Sequence, residues 1–303
     1  MKQILIIGCG YLGSHLANFY LEKGWTVKIV GKQSYYTSLL REGILFNEVN
    51  VTNVTHLKDF IVEGDIVLYA AGSLNATNRF PDILPDIESN YTSFVQLLDI
   101  CAEVKIQRFV FLSSAGTVYG DIETPAKESN CLNPTNIYGL QKVFFENLIK
   151  IKQIETSRLP YLILRISNPY GGHQNPYKNQ GIIPVLIYKA LHNEEFTFWG
   201  DIYSVRDFIY ITDFLEATFK SIELEQDEVL NIASGTATEL ASVISIVEEI
   251  TKRKINMKHT NLGSKTIMRN MFEIKKLKEL IDFTPSVTIN DGISMLCKEF
   301  ATN

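Results

Sequence analysis

The chain has 303 residues, 46% hydrophobic and 21% charged, with a formal net charge of -5. That balance is globular; it excludes a disordered chain and leaves room for one large α/β domain plus a smaller attached one. A pI near 5.6 gives no basic footprint for nucleic acid or an anionic membrane, and no apolar run reaches the roughly 18–20 residues that span a bilayer.

In chain order, apolar runs of strand length alternate with amphipathic runs of helix length, the pattern of βαβ units and a parallel sheet. Strands are predicted at Gln3–Ile7, Thr26–Val30, Leu45–Val49, Ile66–Tyr69, Phe109–Ser113 and Tyr161–Arg165. Helices are predicted at His15–Lys23, Thr37–Arg41, Ile87–Glu103 and Tyr138–Lys152. Past Arg165 the rhythm changes: 169–204 is rich in Gly, Pro, Asn and aromatics around one clear helix near Ile182–His192, as expected of a substrate-holding region. A helix at Thr212–Ile222, a strand at Val229–Ile232 and helices at Ala241–Lys252 and Ile274–Leu280 follow, with no internal repeat or interdomain linker.

The four cysteines, Cys9, Cys101, Cys131 and Cys297, are scattered without metal spacing, and Cys101 and Cys297 sit in helix-like patterns that read as core packing. No metal and no disulfide framework are expected, and a reducing cytoplasm is the expected location. The run Ile4–Ile7 is too short for a signal-peptide core.

The first strand runs into Gly8-Cys9-Gly10-Tyr11-Leu12-Gly13 and a helix start. In that order Gly8 permits a tight turn, Gly10 lets backbone approach a pyrophosphate, and Gly13 lets helix pack on strand. The helix N-terminus then offers N–H groups and positive dipole to phosphate. The fold class expected is therefore α/β, a Rossmann-type doubly wound parallel sheet over 1–168 with 205–235 returning to it. Residues 169–204 and 236–303 form a smaller C-terminal substrate-binding region. An acid at the end of the second strand would bind the ribose hydroxyls of NAD. That position is Gly31, followed by Lys32, which suits a 2′-phosphate, so NAD and NADP both stay open.

Beyond the fifth strand, Ser113-Ser114-Ala115-Gly116-Thr117-Val118-Tyr119-Gly120 precedes Tyr138 and Lys142, which lie one turn apart on one helix face. A nearby ammonium favours phenolate and is expected to lower the Tyr138 pKa. Such a phenol can exchange a proton with a substrate hydroxyl while hydride moves to or from nicotinamide.

These segments together resemble the extended short-chain dehydrogenase/reductase family, in its nucleotide-sugar epimerase/dehydratase branch and with a UDP-glucose 4-epimerase-like pattern. The likeness also takes in Ala70-Ala71-Gly72, Asn90, the 164–171 stretch Leu-Arg-Ile-Ser-Asn-Pro-Tyr-Gly, the 205–213 stretch beginning Val-Arg-Asp, and Asn231-Ile232-Ala233-Ser234-Gly235. It implies Tyr138 as catalytic acid/base and Lys142 as its tuning partner on the nicotinamide ribose. The dinucleotide would be held by Gly8, Gly10, Tyr11, Leu12, Gly13, Lys32, Asn50, Val51, Ala70, Ala71, Gly72 and Asn90. Asn168 and Arg206 would hold a nucleotide sugar, with the planar guanidinium on its diphosphate. A homodimer built from helices 87–103 and 138–152 is implied as well.

The match has gaps. The family's usual catalytic Ser/Thr position is Ala115, and Thr117, on the same face if the segment is extended, is the first replacement and Ser114 the second. Positions 116 and 117 lack the Asp-Glu pair of related dehydratases, and the Cys–His pair of members that epimerise beside a ketone is not evident. The diphosphate-binding Arg-Pro-Gly-Asp stretch is not recognisable near Asn261-Leu262-Gly263-Ser264, where Lys265 or Arg269 are the remaining cations. The expected activity is C4 epimerisation of a nucleotide sugar. An NADPH-dependent keto-sugar reductase is the alternative, and a non-catalytic dinucleotide-binding protein a third reading.

Overall fold

A computed structural model describes residues 2–72, 83–178, 181–260 and 267–302. Strands β1 (Gln3–Ile7), β2 (Thr26–Gly31), β3 (Leu45–Glu48), β4 (Ile66–Tyr69), β5 (Arg108–Ser114) and β6 (Tyr161–Ile166) join Glu228–Ile232 in one seven-stranded sheet. The order is Glu228–Ile232, β6, β5, β4, β1, β2, β3, and β1 pairs in parallel with both β2 and β4. The pairs β2–β3 and β4–β5 are parallel too. Every residue of β4, all but one of β1 and all but one of β5 are buried, because helices cover both faces; this is why those strands read as unbroken apolar runs. The doubly wound sheet expected from the sequence is present.

Boundaries moved where local chemistry outweighed periodicity. The helix after the glycine loop begins at Tyr11, four residues before the expected His15, because Gly10 already serves as its N-cap. The segment expected to be helical at Thr37–Arg41 is a 3-10 turn, Tyr35–Leu39, started by a Ser34/Thr37 capping box. The helix expected at Ile87–Glu103 begins as a π-helical segment, Ile87–Tyr91, before α-helix Thr92–Val104. A long helix, Ile289–Thr302, reads in the sequence only as a helix-like pattern around Cys297.

The chain forms two compact units: residues 1–118, 132–165 and 218–230 in the first, and 119–131, 166–217 and 231–303 in the second. The expected division gave 119–131, 166–168, 205–217 and 231–235 to the sheet domain instead. Backbone pairing explains the difference. Val205–Tyr210 pairs with Asn168–Tyr170, Ala237–Glu239 and Arg269–Asn270, and Tyr119 Oη donates to Asn231 Oδ1 at 2.7 Å.

An aromatic cluster fixes the first unit's core under the sheet. Phe94 of helix Thr92–Val104 stacks on Phe145 of helix Ile137–Thr156 with ring centroids 3.9 Å apart, and Tyr69, Phe109 and Phe111 of β4 and β5 pack edge-on or tilted around them. Stacking of this kind seats helix Ile137–Thr156, which carries Tyr138 and Lys142, on the sheet.

Candidate active site

The glycine loop is built by close approaches that no side chain would permit. Gly8 has φ +114°, and its N–H donates to the Val30 carbonyl at 2.7 Å. A Cβ on Gly8 would lie 2.6 Å from the Ala71 backbone nitrogen, and one on Gly13 only 1.9 Å from the Gly8 carbonyl oxygen. A Cβ on Gly10, by contrast, would meet nothing within 4 Å, and no side chain caps the helix that starts beside it. Open space over Gly10 at an uncapped helix N-terminus is the cradle a pyrophosphate needs, so these residues fit a dinucleotide.

The other residues expected to hold the dinucleotide lie in the same compact unit as this loop. Ala70 N–H donates to the Ile7 carbonyl at 2.8 Å, which places 70–72 next to the loop at the ends of β1 and β4. Tyr11 packs against Tyr36 with centroids 6.0 Å apart, Leu12 is half-buried, Val51 packs on the core, and the Asn50 carboxamide oxygen accepts from the Thr52 N–H and hydroxyl. Asn90 sits in the π-helical segment, a distortion frequently found at functional sites. Lys32 is exposed. A Cβ on Gly31 would lie 2.8 Å from the Cys9 backbone nitrogen, so packing against the glycine loop, and not merely space for a phosphate, demands glycine there.

Tyr138 and Lys142 open helix Ile137–Thr156, whose first turn is capped by the Asn136 side chain accepting from Gly139 N–H at 2.8 Å. Gly139 lets this end press on the preceding turn, since a Cβ there would meet the Thr117 carbonyl oxygen at 2.5 Å. The Ser114 hydroxyl bonds the Tyr138 phenol, and the Lys142 Nζ lies 5.4 Å from the Tyr138 ring centroid. Lys142 Nζ donates to the Leu112 carbonyl at 2.9 Å. Burial pushes the phenol up to about 12, opposed by the Ser114 bond, and pushes the Lys142 ammonium down to about 8, opposed by Glu146. Desolvation of the phenol thus outweighs the lowering of the Tyr138 pKa expected from the lysine, whose Nζ spends one proton on the Leu112 carbonyl.

The premise behind Thr117 also fails. Strand β5 ends at Ser114, and Ala115–Val118 is a helical turn. Thr117 Oγ1 accordingly turns back to donate to the Ser114 carbonyl at 3.4 Å. Sequence reasoning missed Glu146, fully buried and paired with Arg165 at 2.7 Å; its place four residues after Lys142 was the available signal.

In the second unit, Asn168 Nδ2 donates to the Asp207 carbonyl at 2.7 Å. The Arg206 guanidinium donates to the carbonyls of Val205 at 2.9 Å and Ile267 at 2.7 Å, and burial lowers its pKa against the pull of Asp121. The Asp207 carboxylate accepts from the N–H groups of Ser234 and Gly235, both at 2.8 Å, which ties the 231–235 turn to the strand bearing Arg206. Asn261–Ser264 and Lys265 lie outside the described residues; Arg269 is exposed, with its N–H on Asp121 Oδ1 at 2.7 Å.

A doubly wound sheet with a glycine cradle at its central switch point defines a Rossmann-type dinucleotide-binding protein. Residues 4–233 match the NAD dependent epimerase/dehydratase family, and the chain belongs to it. Among its relatives is the dTDP-4-dehydro-6-deoxyglucose reductase of Escherichia coli, 32% identical over 238 residues that cover 74% of this chain and 72% of the relative. UDP-glucose 4-epimerase 2 of Arabidopsis thaliana is 26% identical over 288 residues, covering 84% and 82%. The fold is shared with the Thermus thermophilus UDP-glucose 4-epimerase solved in complex with NAD, at a TM-score of 0.90 and 22% identity over 99% of each chain.

Proposed function

We propose that the protein epimerises a nucleotide sugar at C4, using Tyr138 as the acid/base for both half-reactions. The observation that carries this reading is the contact of Ser114 with Tyr138, one helical turn from Lys142, on a strand of the sheet that also bears the glycine cradle. A dinucleotide held by the glycine loop would supply the hydride acceptor and donor for the C4 oxidation and re-reduction. Tyr138 takes the proton of the C4 hydroxyl as the carbonyl forms and gives it back as the carbonyl is reduced. Ser114, bonded to that phenol, shares the substrate oxygen. Lys142 holds the ribose and supplies positive charge beside the phenol. Asn168 and Arg206 hold the nucleotide sugar, Arg206 through its diphosphate.

Family membership supports a redox cycle on a sugar, and positions 116 and 117 decide between branches. Glycine and threonine there provide no carboxylate to deliver or remove the proton that dehydration requires. For the cofactor, the end of β2 has no acid and Lys32 is exposed beside it, so the adenosine ribose site accepts NAD or NADP. No helix among the described residues is long and apolar enough to cross a membrane; we place the enzyme in the cytoplasm, as a homodimer.

The test is interconversion of UDP-glucose and UDP-galactose, or of their N-acetyl forms, by the purified protein without added cofactor. A Tyr138→Phe variant is expected to lose about 10²–10⁴ in turnover. Stoichiometric consumption of NADPH with a keto sugar would overturn the proposal in favour of a reductase, and unchanged turnover in Tyr138→Phe would remove both. Identifying the dinucleotide that copurifies decides NAD against NADP.

A further inference from the structure

The end of β5 that places Ser114 also holds two side chains further along helix Ile137–Thr156. Three consecutive strand residues meet three helix residues spaced by four. Ser114 bonds Tyr138, the Leu112 carbonyl accepts from Lys142, and Ser113 Oγ donates to Glu146 Oε1 at 2.6 Å. The Glu146 carboxylate also accepts from Arg165 of β6, from Nε at 3.1 and 3.2 Å and from a terminal nitrogen at 2.7 Å. Ser113, Glu146 and Arg165 are all buried, at 3%, 0% and 2% exposure. None of the three has a part in the proton transfer described above.

We propose that Glu146, fixed by Ser113 and Arg165, is a positioning residue: it is the counter-charge that keeps the Lys142 ammonium protonated beside Tyr138. The inference rests on the acid/base reading of Tyr138 and Lys142 given above. Arg165 pairs with this buried anion at 2.7 Å, and the charge of Glu146 also acts on Lys142, one helical turn away on the same helix. From its own helix Lys142 faces Tyr138 and feels the charge of Glu146; from β5 it faces the Leu112 carbonyl and the Phe111 ring at 4.8 Å; on β6, Arg165 pairs with Glu146. Lys150, one turn beyond Glu146, feels both Glu146 and Arg165. A guanidinium keeps its proton throughout the working range. If the anion is removed, Lys142 is the group that gives up its charge, and its ability to favour phenolate goes with it.

The charge of Lys142 can be read without any sugar substrate, from the carbon-13 shifts of labelled lysine side chains with the Lys142 signal assigned through Lys142→Arg. Glu146→Gln is expected to lower the Lys142 midpoint by about one unit or more, and Arg165→Gln, which removes the competing cation, to raise it. The alkaline limb of turnover on a nucleotide sugar should move in the same two directions. Loss of packing cannot give opposite signs in two variants that break the same ion pair. A midpoint unmoved in either variant, or displaced the same way in both, overturns the proposal; if only one variant folds, its sign decides. The expected lysine shifts in a protein that epimerises no nucleotide sugar would leave the role of Glu146 standing and remove the epimerase reading.

Discussion

The Ser114 hydroxyl bonds the Tyr138 phenol, whereas the Thr117 hydroxyl is turned back on the Ser114 carbonyl at 3.4 Å. The turn Ala115–Val118 causes this divergence, because helical backbone rotates Thr117 off the face it would occupy in a strand. Ser114→Ala is therefore expected to lower kcat about 10²-fold with little change in KM, and Thr117→Val to lower it only a few-fold. Steady-state kinetics on the two variants checks this; the greater loss falling on Thr117→Val would reverse the assignment.

Gly10 and Gly13 make a second pair with opposite demands. A methyl on Gly13 would overlap the Gly8 carbonyl, and relieving that clash should cost about 1–3 kcal/mol, so Gly13→Ala melts early. At Gly10 there is open space and φ is -97°, which alanine adopts readily. Gly10→Ala should therefore melt like the parent while binding dinucleotide roughly tenfold more weakly, a difference of about 1.4 kcal/mol. Thermal denaturation paired with calorimetric titration of NAD and NADP separates the two effects. Unchanged dinucleotide affinity in a folded Gly10→Ala protein would mean that the phosphates do not sit there.

Much of this was legible in the sequence because one physical cause dominated locally. Ile4–Ile7 and Ile66–Tyr69 are buried on both faces, so their apolar runs declared central strands. The glycine loop was equally plain, since its spacing is set by steric contacts within a few residues. What stayed hidden depended on partners distant in sequence. Gly31 looked like a missing acid, yet its close approach to Cys9 requires β2 to lie beside the loop. The Ser113–Glu146–Arg165 cluster spans residues 113 to 165 and joins β5, a helix and β6. The turn that carries Thr117 stayed hidden because four residues have no periodicity to reveal it.

Thiol chemistry offers a check on the packing of both units that needs no substrate. Burial pushes the Cys9 and Cys297 thiols up to about 11 and raises Cys101 further, while Cys131 is exposed. The thiolate is the nucleophile, so at pH 8 the three raised thiols are almost wholly unreactive. Native protein treated with iodoacetamide should take up one group per chain, on Cys131, and three more after denaturation. Peptide mapping that finds Cys9 modified in the native state would contradict the packing of the glycine loop.

The outer face of helix Ile137–Thr156 bears on the proposed dimer. Leu140, Phe144 and Ile151 recur at the spacing of one helical stripe and remain 52%, 41% and 49% exposed, with Ile154 beside them at 80%. Val95 on helix Thr92–Val104 is exposed as well. A second copy covering this stripe would gain about 1.5–3 kcal/mol for each large side chain fully buried. Phe144→Asp combined with Ile151→Asp should convert a dimer to a monomer at micromolar concentration, because burying either carboxylate unpaired costs more than the apolar contact returns. The monomer's own melting should fall only modestly, through loss of the ring contact of Phe144 with Tyr91 at 5.0 Å. Light scattering after size exclusion reads the mass directly: a parent protein that is already monomeric would refute the dimer, and a double variant that stays dimeric would move the interface to another face.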